Sequence, residues 1–450
     1  MDAVAAIGRR AFVALTAGAL AARPGEAGGA PERLRVSPSG HFFAWRGRTR
    51  MLIGDSGTQV ALMNGRLDAR AWIDACQREG HSTVHVWSFT GPRPGDWRLG
   101  SAPALLPWAR RAAGGWDLLR WDDAPNGYWS RLRSLCAHAR ERGLLVGITF
   151  GFGWCKAGGP SPGLRLHPFH RDAGGFAETE TDIVGLWAAG EELHAQPWDA
   201  AWPPRRKSQW LWERLALRFL ETVGGLGNVW FDYRDEWSYA NAAAAESQAH
   251  WRRFFRSRGA LWADRSGEAD FRVANPDVPD WGPTPAMKTE GEPYDPEGVR
   301  ADVWSRTMGG VHYLLHSDAR EPNVAAWDAE VAPVRGQDPR DDPARRFVGL
   351  CSRFWNEHVP ELDALERRPE LVRGGGRCMA SERVAAAWWP AGGGAVEVDL
   401  RGMRGRVRSV WYDPRTGRKQ AGPRLEAGGW RRLERPDSRD WTLLLDGRAA

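Results

Sequence analysis

The sequence predicts an α/β protein, a (β/α)₈ TIM barrel followed by a small all-β sandwich, and three observations carry that expectation. Two short β-prone runs, Asn228-Val-Trp-Phe-Asp-Tyr-Arg-Asp-Glu-Trp237 and Pro285-Ala-Met-Lys-Thr-Glu-Gly-Glu-Pro293, each deliver an acidic side chain near the C-terminal tip, Glu236 and Glu290. A parallel barrel builds its site from strand tips in this way. Between residues 49 and 365, β runs alternate with helical patterns, the order that produces a parallel sheet. Beyond the glycine joint Arg373-Gly-Gly-Gly-Arg377 only short β runs remain, separated by turns at sandwich spacing. The expected domains are residues 1–30 for a signal peptide and linker, 31–372 for the barrel and 377–450 for the sandwich.

In chain order, Leu34 to Trp45 alternates around Pro38-Ser-Gly40 and reads as a hairpin capping the barrel bottom. Thr49 to Asp55 is the first barrel strand, and Leu67 to Arg78 is helical with Asp68 as N-cap. Ser82 to Phe89 is strand two, Tyr128 to Arg142 a helix, and Leu144 to Phe152 strand three. The stretches 90–126 and 153–207 are long loops rich in Trp, and loops of that length are usually functional. Helix Gln209 to Val223 leads into strand four, Val229 to Glu236, and helix Ala243 to Ser257 follows. Strands five and six fall within Ala260 to Val278, with Phe271-Arg-Val-Ala274 the clearest run. Glu290 ends strand seven, Gly310 to His316 is strand eight, and Ala344 to Leu365 is the closing helix. The sandwich runs are Ala385 to Trp389, Ala395 to Leu400, Val407 to Tyr412 and Asp440 to Asp446.

The charge balance, 62 Lys+Arg against 56 Asp+Glu, has no long like-charge block and argues against nucleic acid as partner. Arg9-Arg-Ala-Phe12, an apolar run to Ala22 and Ala19-Leu-Ala21 read as a bacterial export signal, of twin-arginine type. That run is too short to span a bilayer. An exported protein, periplasmic or extracellular, monomeric and without a membrane span, is expected. The five cysteines are widely spaced with no C-x-x-C pair, which favours buried free thiols. The outlier is 27 Trp against 6 Tyr, more indoles in Gly/Pro-rich segments than a core alone would use, and indole faces stack on sugars.

The chemistry rests on the two carboxylates. Cleaving a glycoside with retention needs one carboxyl to protonate the leaving oxygen and a second, ionised and roughly 5 Å away, to attack the anomeric carbon. Glu236 has Tyr233, Trp237 and Tyr239 as sequence neighbours, an aromatic setting that raises a carboxyl pKa and suits the acid/base. Its structural alternative is a pair with Arg234. Glu290 is the candidate nucleophile, with Glu292 as rival. Asp235 either accepts a sugar hydroxyl or pairs with an arginine, and Asp55 either binds a sugar hydroxyl or buttresses the barrel mouth. His85 and Trp87 share a face of strand two, which is either mouth or core. His312 is a hydroxyl ligand candidate, Trp154 a stacking candidate, and Tyr239 joins the substrate-binding set. His312 and His316 share a face of strand eight, which raises metal binding, but no carboxylate stands at ligand spacing; no dinucleotide fingerprint or phosphate loop occurs either, so no metal or cofactor is expected and carbohydrate is the expected partner.

The order of these features resembles the retaining glycoside hydrolases of the large (β/α)₈ clan that includes the cellulase-like families. The resemblance implies an acid/base on strand four and a nucleophile on strand seven, the places of Glu236 and Glu290. Gly54-Asp55 after an apolar strand is similar to the barrel family named for apiosidase. Val410-Trp-Tyr-Asp-Pro-Arg-Thr-Gly417 with Asp440-Trp-Thr-Leu-Leu-Leu-Asp446 resembles the collagen-binding-type sandwich that follows such barrels. Cellulase-like members carry Asn before the acid/base where this chain has Asp235, so no substrate label transfers. Two rival readings are a glycan-binding protein on a hydrolase scaffold and a matrix adhesin acting through the sandwich.

Overall fold

The structure is a computed structural model that describes residues 32–56, 61–89, 104–150, 168, 207–233, 242–264, 267–274, 281–291, 295–316 and 342–448. Arg33–Ala450 is one compact unit. It opens with a three-stranded antiparallel sheet, β1 (Arg35–Val36), β2 (Phe43–Trp45) and β3 (Arg48–Arg50). The run expected as a single first strand from Thr49 therefore divides. Residues 48–50 pair with β2, and only β4 (Ile53–Asp55) enters the barrel. Side chains take over strand pairing at the break: Met51 N donates to Asn356 Oδ1 at 3.0 Å, and Asn356 Nδ2 donates to the Met51 carbonyl at 2.9 Å.

The chain then runs α1 (Ala69–Glu79), β5 (Thr83–Trp87), the hairpin β6 (Trp108–Arg110) and β7 (Trp116–Trp121), α2 (Tyr128–Glu141), β8 (Leu145–Phe150), α3 (Lys207–Val223), β9 (Val229–Tyr233) and α4 (Ala242–Arg256). It continues with β10 (Leu261–Asp264), β11 (Phe271–Ala274), β12 (Ala286–Gly291), α5 (Pro296–Thr307), β13 (Val311–Leu315) and α6 (Pro343–Arg353), the last extended by one π turn at 354–358. Strands β4, β5, β8, β9, β10, β11, β12 and β13 close into a barrel with every neighbour parallel. Local chemistry starts the helices, at Asp68 as expected and at two further aspartates, and α5 is a helix that the sequence reading did not place. Asp68, Asp295 and Asp342 accept from backbone N–H groups of the first turn, and Pro296 and Pro343 begin α5 and α6.

Inside the barrel, Phe43 and Trp45 of the bottom sheet pack against Leu52, Leu145, Trp230 and Phe271. Gly147 makes this possible, since a Cβ there would stand 2.2 Å from the Trp230 indole. Outside, α1 to α4 seal one half of the barrel over an aromatic core that includes Trp108, Trp129, Phe219 and Trp251. Trp108 and Trp116, in the stretch expected as an irregular loop, are buried hairpin residues of that core. Cys76, Cys136, Cys351 and Cys378 are free and buried.

The sandwich contains β14 (Glu366–Arg367), β15 (Val372–Arg373), β16 (Arg377–Ala380), β17 (Val384–Trp389), β18 (Ala395–Asp399), β19 (Arg406–Tyr412), β20 (Lys419–Glu426), β21 (Trp430–Glu434) and β22 (Trp441–Asp446). Its sheets are β14-β16-β17-β22-β19-β20 and β15-β18-β21, so pairing begins ahead of the glycine joint. Four Asp-x-Arg clips finish strands and turns: Asp399, Asp413, Asp437 and Asp446 each accept from the backbone N–H and guanidinium two residues on. Hydrogen bonds from Arg401 and Arg439 hold the Asp399 and Asp437 carboxyls below the usual range.

One face of the larger sheet is core to the barrel as well. Val384, Trp388 and Tyr412 pack with Val303 and Trp304 of α5 and Val348 of α6 in one cluster. Tyr412 Oη donates to the Leu350 carbonyl at 2.9 Å. Arg300 on α5 grips Asp440 with Nε–Oδ2 2.9 Å and Nη2–Oδ1 3.2 Å, a buried fork. A shared core predicts shared unfolding. Thermal melts of the full chain followed by far-UV and near-UV circular dichroism should coincide, and deleting 375–450 should lower the barrel midpoint and promote aggregation. Two separate transitions, or a truncated barrel with an unchanged midpoint, would contradict the shared core.

Candidate active site

The inward-facing residues of β5, β8 and β9 change character along the barrel axis. Register pairs His85 with Gly147, Gly147 with Trp230, Trp87 with Thr149, and Thr149 with Asp232. The lower level is aromatic, with the His85 ring stacked on Trp230 at 5.3 Å and 13°. The upper level, at the C-terminal ends of the strands, is polar. His85 Nε2 lies 2.9 Å from Asp232 Oδ2 and 2.9 Å from Thr149 Oγ1. All three side chains are buried, while His85 Nδ1 and Asp232 Oδ1 have no hydrogen-bond partner among the described residues. Leaving buried polar atoms unmatched costs stability, and such atoms ask for an explanation. Here they form a polar floor under the barrel mouth, where a parallel barrel keeps its site.

Asp232 and Thr149 did not emerge from motif reading. A signal was nonetheless present, because Asp232 shares the two-residue period of Trp230 in a strand otherwise apolar. His85 and Trp87 do lie on the inward face, and Trp87 stands at the end of β5, buried, opposite Thr149.

Two expected ligands are committed elsewhere. Asp55 faces the helices: its Oδ2 takes the Trp72 indole N–H at 3.2 Å and lies 3.2 Å from Arg345 Nε on α6, both partners buried. That is the buttressing role. The reason is parity, since Ile53 packs in the outer core and Asp55, two residues on, shares its side. His312 sits at the N-terminal end of strand eight, below the mouth. Its Nδ1 accepts from Leu52 N at 2.8 Å and its Nε2 faces the His41 carbonyl at 3.1 Å, which fixes a neutral imidazole with the proton on Nε2. Burial lowers its pKa to about 4.

Glu290 belongs to β12, the seventh barrel strand. Lys288 pairs with Tyr313 but Gly291 pairs with Leu315, so Thr289 and Glu290 together face the single residue Leu314. Tyr313 and Leu315 pack outside the barrel and Leu314 inside. The Glu290 side chain, and Glu236, Asp235, Tyr239, Glu292 and Trp154, lie outside the described residues, as do the loops 90–103 and 153–206 apart from Pro168.

Fold and floor define a closed (β/α)₈ barrel with an all-β domain at its C-terminal side. The family described as "Putative collagen-binding domain of a collagenase" matches residues 375–446, the sandwich. A glycoside hydrolase family 5 protein from Bacteroides vulgatus superposes with a TM-score of 0.61 at 13% identity, covering 93% of this chain and 94% of that one. A structure described as a glycoside hydrolase superposes with a TM-score of 0.54 at 12% identity, covering 93% and 98%. At such identity the likeness shows the fold alone, a closed parallel barrel followed by an all-β domain. No curated protein matches.

Two measurements check the reassigned residues. Asp55→Ala leaves Arg345 buried beside a lost counter-charge and should cost about 3 kcal/mol in chemical denaturation; a loss under about 1 kcal/mol with weakened glycan binding would return Asp55 to the substrate. For His312, the unfolded chain takes up a proton as pH falls from 6.5 toward 4 while the folded protein does not. Its contribution is whole above pH 6.5 and is lost through that window. Wild-type stability should thus fall more steeply there than that of His312→Gln, by up to about 1.4 kcal/mol per pH unit. Equal slopes would refute the buried neutral imidazole.

Proposed function

We propose that the protein is a retaining glycoside hydrolase acting on a plant or microbial poly- or oligosaccharide, with Glu236 as acid/base and Glu290 as nucleophile. The observation that carries the reading is the irregularity in β12. The simple alternation that turns Lys288 outward is broken before Gly291 by one extra residue, so that Thr289 and Glu290 together stand in register with inward-facing Leu314. Bulges re-aim side chains next to active sites, and they are rare in parallel pairs. Glu236 follows the end of β9 at Tyr233 by three residues in the sequence.

In the first half-reaction the Glu236 carboxyl protonates the glycosidic oxygen as a Glu290 carboxylate oxygen bonds to the anomeric carbon and the C–O bond to the leaving group breaks. Water, deprotonated by Glu236, then displaces Glu290 from the sugar and restores both groups. Neither step calls for a cofactor. Asp235, Tyr239, Trp87, Trp154 and Glu292 are proposed to contact sugar, with Asp232 and His85 forming the floor beneath it. Export and a monomeric state accompany this proposal.

Glu290→Gln should lower kcat by roughly 10³-fold or more on a cleaved glycan, because a covalent step without its nucleophile has no substitute. Glu236→Gln should be milder on aryl glycosides whose leaving groups need no proton. Near-normal turnover by Glu290→Gln would move the nucleophile to Glu292, and absence of hydrolysis across a broad glycan panel, with binding retained, would favour a glycan-binding protein.

A further inference from the structure

The seventh barrel strand is braced from behind by charge. Lys288 is 3% exposed, and its Nζ lies 2.9 Å from Asp302 Oδ2 on α5 and 6.0 Å from the Tyr313 ring centre. Arg306 Nε holds the other oxygen of Asp302 at 3.3 Å. The same helix carries Arg300, which reaches across to Asp440 of the sandwich through two hydrogen bonds. Burying an ammonium is expensive even when it is paired, and an apolar residue of like volume often stabilises the same place at least as well. What the pair supplies instead is a fixed position, as polar groups do when they set register.

We propose that Lys288 is a positioning residue for Glu290, and that the sandwich, through Asp440 and α5, is part of that brace. The ammonium must meet Asp302, so β12 cannot slip or rotate at residue 288. Gly291 is fixed in turn by its pairing with Leu315. The extra residue is therefore trapped at 289–290, and Glu290 is held in the register of Leu314. Were Lys288 apolar, the bulge could migrate along the strand, and a shift of one residue exchanges inside for outside. This inference rests on Glu290 being the nucleophile.

The test uses the full chain and a 2,4-dinitrophenyl 2-deoxy-2-fluoroglycoside of a cleaved sugar. The nucleophile bonds to the anomeric carbon, dinitrophenolate leaves, and the fluorinated glycosyl-enzyme persists for peptide mass spectrometry. Wild type should be labelled on Glu290. Folded Lys288→Met should be labelled about 100-fold more slowly, the scale of a misplacement near 1 Å, or on Glu292, with kcat reduced and KM nearly unchanged. Lys288→Arg should recover much of the rate, because a guanidinium still reaches Asp302. Asp302→Asn, which keeps the shape and a hydrogen bond to Lys288, should be intermediate and serves if the methionine variant does not fold. Asp440→Asn should slow labelling less than either. Wild-type labelling of Glu290 in folded Lys288→Met, or in Asp302→Asn if the former is unfolded, would overturn the positioning role. Labelling of wild type on another carboxylate would overturn the assignment of Glu290 itself and the inference with it.

Discussion

A ring of eight parallel strands gives each strand residue one of two places to go, and the interior must be filled for the ring to close. In this chain the filling runs from apolar to polar along the axis. Phe43, Trp45, Leu52 and Leu145 plug the bottom, the Trp230 indole crosses above Gly147 to lie on His85, and only then does Asp232 appear with Thr149. The polar pair can stand at the mouth because the aromatic level beneath it supports the ring and removes water from one side. The imidazole of His312 belongs to the same economy at the other end. It accepts the Leu52 N–H where the first strand has not yet joined the barrel, so closure between β13 and β4 starts on a side chain and continues as a ladder.

The outer surface divides by chemistry. Around β5, β8 and β9 the helices are sealed by aromatic rings, such as Phe150 against Trp212, Trp251 and Phe255. Around β4, β12 and β13 the seal includes buried charge: Asp55 with Arg345, Lys288 with Asp302, and Arg300 with Asp440. The second half is also the side on which the sandwich packs. An apolar core tolerates sliding and repacking, whereas a buried ion pair tolerates neither, because a misplaced charge is uncompensated. The charged half thus holds the strand that carries Glu290 to a fixed register against helices that are themselves fixed to the sandwich.

This distribution explains what could and could not be read in the sequence. The order of the eight strands, the Asp68 cap and the helix before β9 were legible, because each depends on local alternation or capping chemistry. The division of the first strand was not, since it depends on Asn356 and His312, each about 260 or more residues away in the chain. The strands β14, β15, β16, β20 and β21 were also missed; β14 and β15 are two residues long, and β20 is exposed along nearly its whole length, with no apolar alternation to mark it. Among the 27 Trp, the expectation of sugar-facing indoles in the long loops gave way to packing at Trp108 and Trp116, both buried, while Trp72, Trp251, Trp262, Trp304 and Trp355 are fully buried within helices and strands. Long loops could be marked from composition, but composition does not say which side of an indole meets protein.

The contrast between Asp55 and Asp232 shows what decides a carboxylate's role in such a fold. Both are strand residues near the top of the barrel, both are almost wholly buried, and both resemble site residues in sequence. Parity separates them. Asp55 shares the outward period of Ile53 and meets a guanidinium and an indole; Asp232 shares the inward period of Trp230 and meets an imidazole and a hydroxyl, with Oδ1 left unmatched among the described residues. In β12 the outward period of Lys288 is interrupted before Gly291, where Thr289 and Glu290 together stand opposite the single inward-facing residue Leu314. In a barrel the count of residues along a strand, as much as their chemical type, determines whether an acid supports the wall or faces the substrate.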